Sequence, residues 1–158
     1  KKYVLGGLMK IKVKANGRIE TVVRDNNIEL GNGIIIEDNE DVILNPDKYL
    51  YLNGNLILRP YVVIETDKVD TNGNGIPDSD LEHNLTIKFY NSDGSIDESI
   101  NGNYILRIFY GQNSFNDYNI NIINGIGSYN LTKNFIGIAY VCVVNFDGYI
   151  NSLVIEFI

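Results

Sequence analysis

The sequence predicts an all-β protein, an antiparallel β-sandwich of the Greek-key, Ig-like or jelly-roll type. Three observations lead there. First, the 158-residue chain has only two alanines, Ala15 and Ala139, and its apolar residues are mainly Ile, Val, Leu, Tyr and Phe. The β-branched and aromatic members suit a pleated, half-buried surface and gain little in a helix. Second, asparagine makes up roughly one residue in seven and there are 15 glycines, the residues that tolerate left-handed turns. Third, about ten short apolar runs are separated by turn signals every 8 to 12 residues, the spacing of a sandwich. A closed barrel is the second choice, and one domain over residues 1–158 is expected.

The elements follow in order. Ile11–Ala15 and Arg18–Arg24 flank Asn16-Gly17, a hairpin signal. Ile34–Glu37 and Asp41–Leu44 flank a polar turn, and Asn45-Pro46-Asp47 breaks the chain again. Tyr49–Leu52 and Asn55–Thr66 flank a second Asn-Gly, and Pro60 marks a bend or an edge inside the longer run. Asn84–Tyr90 alternates, with Leu85, Ile87 and Phe89 on one face. Tyr104–Tyr110 and Asn119–Ile123 read as strands. Phe135–Phe146 is apolar on both faces, as in a strand covered on both sides. Asp147-Gly148 then turns the chain into a last strand, where Tyr149, Leu153, Ile155 and Phe157 share a face. The only helical turn expected lies near Pro77–His83.

Charge and composition exclude several functions. Thirteen Lys+Arg against twenty Asp+Glu leave a net charge of −7 with no basic patch, so no nucleic-acid partner is expected. No apolar run approaches the length of a membrane span, so no membrane insertion is expected. The apolar stretch Tyr3–Met9 is too short for a secretory leader and lacks a small-residue cleavage site. Cys142 is the single cysteine, which leaves no intrachain disulfide, and between Val141 and Val143 it reads as a small buried hydrophobe. His83 is the single histidine, and no nucleophile elbow accompanies it, so it reads as a solvated or loop-packing residue. Asn84-Leu85-Thr86 and Asn130-Leu131-Thr132 match the N-glycosylation sequon.

One segment carries metal chemistry. Asp70-Thr71-Asn72-Gly73-Asn74-Gly75-Ile76-Pro77-Asp78-Ser79-Asp80-Leu81-Glu82 places oxygen-bearing side chains at loop positions 1, 3, 5 and 9 and glycine at position 6. Ca2+ takes about six to eight hard oxygen ligands, and alternate residues of a tight loop can turn their oxygens toward one centre. Ile76 offers its backbone carbonyl. The loop resembles those of thrombospondin type 3 repeats and dockerins. That resemblance implies Asp70, Asn72, Asn74, Ile76 and Asp78 as calcium ligands, and an extracellular setting where calcium is millimolar. It covers about thirteen residues of the chain. Position 12, an acid in the pattern, is Leu81 here, so Asp80 or Glu82 is expected to replace it. Asp93–Glu98 is a weaker acidic patch and reads as a hairpin turn.

With no catalytic constellation, the expected role is non-enzymatic. The reading is an extracellular structural subunit, stabilised by Ca2+ and self-assembling into a filament, sheath or surface layer. The β-prone residues 1–14 are a candidate strand for exchange between copies. The alternatives are a binding module (an adhesin or carbohydrate-binding domain with a surface-glycan partner) or a phage tail or virion structural protein.

Overall fold

The computed structural model describes residues 8–24, 31–37, 39–111 and 114–158. The protein is mostly β, built from several mainly antiparallel sheets with one short helix. The chain divides into two compact units, Lys1–Arg59 and Pro60–Ile158, each with its own apolar cluster. The sequence suggests one domain. The division arises because the apolar residues of the first fifty-nine positions close over one another, a choice of partners that composition does not reveal.

In the first unit, β1 (Leu8–Val13) lies between β2 (Ile19–Val23) and β3 (Ile34–Glu37), antiparallel to both. The Asn16-Gly17 turn joins β1 to β2, with Gly17 at φ 82°. Met9, Ile11, Ile19 and Val42 are buried together. Within the candidate exchange segment 1–14, Leu8–Val13 is hydrogen-bonded along both edges within the chain. Residues 1–7 lie outside the described residues.

Asp41–Leu44 is not the strand expected. Glu40–Leu44 forms α1, because the Asn39 side chain caps it, accepting from the backbone of Asp41 and Val42. A 3-10 turn over Pro46–Lys48 follows. The hairpin β4 (Tyr49–Leu52) and β5 (Asn55–Leu58) turns at Asn53-Gly54, whose φ values are 51° and 83°. Both residues lie in the left-handed region that such a two-residue turn requires. Pro60 ends the run, separating β5 from the next strand.

The second unit contains two sheets. One orders β10 (Phe115–Ile122), β9 (Gly102–Tyr110), β12 (Gly137–Val143), β14 (Leu153–Phe157) and β7 (Asp78–Ser79). The other orders β11 (Ile126–Thr132), β8 (Glu82–Tyr90), β6 (Tyr61–Thr66) and β13 (Tyr149–Asn151). Leu85, Ile87 and Phe89 of β8 and Val62 and Ile64 of β6 join Leu106, Ile108, Ala139, Val141, Val143, Ile155 and Phe157 in one buried cluster. Period-2 alternation aims these residues inward from both sheets. Phe89 sits at its centre, 4.8 Å from Tyr104 and 5.0 Å from Phe146 between ring centroids.

Three local expectations are corrected. Pro77–His83 is not helical, because Asp78–Ser79 is a short strand and β8 begins at Glu82. The final strand is split at Ser152, so Tyr149–Asn151 pairs with β6 in one sheet while Leu153–Phe157 pairs with β12 in the other. The strand around Val141 is covered on one face only: Ala139, Val141 and Val143 are buried, whereas Ile138 and Tyr140 are exposed. Cys142 shares that outer face and is partly exposed.

Phe89→Ala should lower unfolding free energy by about 3–5 kcal/mol in a denaturant titration, as expected for an aromatic removed from a closed core. Gly125 has φ +78°, and a Cβ there would lie 2.5 Å from the Asp97 carbonyl oxygen; Gly94 has φ +86° but its nearest neighbour would be 3.9 Å away. Gly125→Ala should therefore unfold at clearly lower denaturant concentration than Gly94→Ala.

Candidate metal-binding loop

Residues 67–77 leave β6 and return to the other sheet through β7. The return is fastened at several points. β7 pairs parallel with β14, Asp78 opposite Glu156 and Ser79 opposite Phe157. Glu156 donates its backbone N–H to the Pro77 carbonyl at 3.0 Å, and Ile158 donates to Ser79 at 3.1 Å. Asp78 donates to the Val69 carbonyl at 3.1 Å. The loop thus starts in one sheet and ends zipped to the C-terminal strand of the other.

Inside the loop the carboxylates are held by donors from the loop itself. Asp78, 5 % exposed, accepts from Thr71 N at 2.7 Å, Thr71 Oγ1 at 2.6 Å and Asn72 N at 3.1 Å. These bonds, the Thr71 hydroxyl foremost, favour the ionised form and hold the Asp78 carboxyl below its ordinary value. Asp70 accepts from Gly73 N at 2.7 Å on one oxygen and from Gly75 N at 2.6 Å on the other. Asn72 Oδ1 accepts from Asn74 N, and Asn74 Oδ1 from Ile76 N. Gly73 and Gly75, at φ 82° and 84°, supply the turns that carry these amides inward.

The residue missed from the sequence is Glu156. Its Oε2 accepts from Asn72 Nδ2 at 2.8 Å and Asn74 Nδ2 at 2.7 Å. The acid lacking at position 12 is thus matched by one from β14, 84 positions beyond Asn72. Its only signal in the sequence is a charge on the wetter face of the last strand.

The expected substitutes for position 12 point elsewhere. Glu82 accepts from Asn130 Nδ2 at 2.8 Å across the β8–β11 pair, and Asp80 is exposed. The structure brings Asn72 and Asn74 to Glu156, while Asp70 holds the backbone of Gly73 and Gly75, Ile76 N donates to Asn74, and Asp78 holds Thr71 and Asn72. Among the described residues no three His, Cys, Asp or Glu side chains cluster as metal ligands do.

His83 is not solvated but packs beneath the loop. It is fully buried, edge-on to Phe157 at 4.9 Å. Its Nε2 lies 3.0 Å from the Glu156 carbonyl and its Nδ1 3.1 Å from Thr66 Oγ1. Because a carbonyl only accepts, Nε2 donates to Glu156, and Nδ1 shares a hydrogen bond with the threonine hydroxyl. His83 thereby ties the two ends of the loop, Thr66 and β8, to β14. Asp67, the first residue after β6, accepts from the side chain and backbone of Asn84, with Lys68 adding a smaller contribution, and is held down at about 2.

Asp93 and Asp97 each close a local turn on the serine two residues on, as a hairpin requires. The two sequon asparagines face each other across β8 and β11, Asn130 Nδ2 donating to Asn84 Oδ1 at 2.7 Å. Asn84 Nδ2 donates in turn to Asp67 at 2.9 Å. Both amide nitrogens are spent within the sheet, so glycan attachment at either would break this ladder.

No family model, curated protein or solved structure matches the chain.

The depressed carboxylates set a pH dependence. A group whose folded pKa lies below its unfolded value of about 3.9 stabilises the fold above that value and loses the contribution as pH falls through the folded pKa. Melting temperature should decline from about pH 4 downward, with the Asp67 share persisting until about pH 2. Asp78→Asn should lower the melting temperature by several degrees at neutral pH and flatten the acid limb of the profile.

Proposed function

We propose that the chain is a non-enzymatic structural subunit whose second unit is an antiparallel β-sandwich stabilised by calcium. The observation that carries this reading is that Glu156 of the C-terminal strand holds Asn72 and Asn74 of a loop whose backbone folds around Asp70. All the donors are hard oxygens, the type Ca2+ selects. Asp70, the amide oxygens of Asn72 and Asn74, the Ile76 carbonyl and Glu156 would hold the ion. Asp78 would keep the loop folded around it. An ion bound there would neutralise Asp70 and Glu156 and join loop to strand.

Two acids make a weak site, and an affinity of about 10⁻⁴–10⁻³ M belongs to extracellular calcium modules. That supports a role outside the cell, in a filament, sheath, surface layer or virion. Calcium at about 1 mM against a dissociation constant of about 10⁻⁴ M would add about 1.4 kcal/mol to stability.

Self-association is supported by the outer face of the five-stranded sheet. Register places Phe115, Phe109, Tyr140 and Val154 in one row across four strands, with Ile138 beside it. Phe115 and Tyr140 are 47 % and 55 % exposed. An apolar row of this kind on a solvent face marks an interaction surface. The same row favours the second reading, a binding module. There the aromatic rings would take a ligand such as a glycan, flanked by Arg107, which lies 4.1 Å over the Phe115 ring and is paired with Asp117.

Adding millimolar calcium to chelator-treated protein should raise the melting temperature by several degrees, and Glu156→Gln should abolish most of that shift. Absence of any calcium-dependent shift in the wild type would overturn the calcium reading. Size-exclusion chromatography separates the two roles: a subunit elutes as an oligomer that Tyr140→Glu dissociates, whereas a binding module elutes as a monomer either way.

A further inference from the structure

The sequence contains seven Asn-Gly dipeptides, and two of them, Asn72-Gly73 and Asn74-Gly75, are consecutive within the loop. Asn-Gly is the dipeptide most prone to self-modification, because glycine offers no side chain to hinder its own nitrogen. In that reaction the glycine amide nitrogen bonds to the asparagine Cγ and loses its proton to solvent. The Cγ–Nδ2 bond breaks and ammonia leaves. Water then opens the cyclic imide at either carbonyl, giving aspartate or isoaspartate. No oxidant or reductant is involved.

In this loop both attacking nitrogens are occupied by one side chain. Gly73 N donates to Asp70 Oδ1 at 2.7 Å and Gly75 N to Asp70 Oδ2 at 2.6 Å. The asparagine side chains are held as well. Each Oδ1 accepts from the backbone two residues on, and both Nδ2 groups donate to Glu156. By contrast, Asn53-Gly54 is the exposed tip of the β4–β5 hairpin, with no carboxylate hydrogen-bonded to its glycine nitrogen among the described residues.

We propose that Asp70 is a guard residue: by holding the amide nitrogens of Gly73 and Gly75 it keeps Asn72 and Asn74 from converting to aspartate and isoaspartate. Conversion would have a direct structural consequence. Each new carboxylate would replace a donor to Glu156 with a second negative charge, so the loop would detach from β14 unless a cation were present. Asp70 is a positioning residue in this account, and the inference stands independently of calcium binding.

The test is peptide-level mass spectrometry of the full chain aged in chelator at mildly alkaline pH, so that no bound cation contributes to protection. The readout is conversion at Asn72 and Asn74 relative to Asn53 in the same sample. In the folded wild type the loop sites should convert about tenfold more slowly than Asn53, since a charge-assisted hydrogen bond must break before each attack. In denaturant the difference should vanish. Asp70→Ala should raise the loop rates toward that of Asn53 and leave Asn53 unchanged. Equal rates at the three sites in the folded wild type would overturn the proposal, whether or not the variant folds. So would a folded Asp70→Ala protein whose loop remains protected.

Discussion

A carboxylate as buried as that of Asp78 must find donors, and it finds three in Thr71 and Asn72. An unsatisfied buried acceptor is costly, and a charged one more so. This requirement bends residues 71–77 back over Asp78 and delivers β7 to the edge of the five-stranded sheet. Once β7 pairs with β14, Glu156 is brought beside Asn72 and Asn74. Asp70 then fixes the turn between them through the amides of Gly73 and Gly75.

The loop is further tied through His83. The buried imidazole bridges Thr66 Oγ1, at the end of β6, and the Glu156 carbonyl in β14. Glu156 thus serves twice, its backbone to the histidine and its side chain to the loop amides. A metal bound by the loop would act on a strand already integrated with the core through Ile155 and Phe157. That is how a weakly charged surface site would bear on the stability of a whole unit: Glu156 stands between the core residues Ile155 and Phe157.

Polar residues elsewhere are employed in the same local way. Asp93 and Asp97 cap turns, Asn39 caps a helix and the sequon asparagines pair across strands. In so asparagine-rich a chain, most amides serve backbone geometry. The loop at 70–76 differs because its side-chain amides also reach a carboxylate from a distant strand.

The sequence by itself determined strand content, the two Asn-Gly hairpins and the inward face of β8, because alternation and turn chemistry are local properties carried by adjacent residues. The alternation of oxygen-bearing side chains along the loop is equally legible, since their spacing is local. Asp41–Leu44 is helical rather than extended because the Asn39 side chain caps it, and Pro77–His83 is extended because pairing with β14 overrides a weak local preference. Only the tertiary structure decided that the chain makes two cores, that Ser152 divides the last strand between two sheets, and that Glu156, not Asp80 or Glu82, meets the loop. Each of these depends on which distant segments share a sheet, and that choice is made by the packing of whole faces rather than by any run of neighbouring residues.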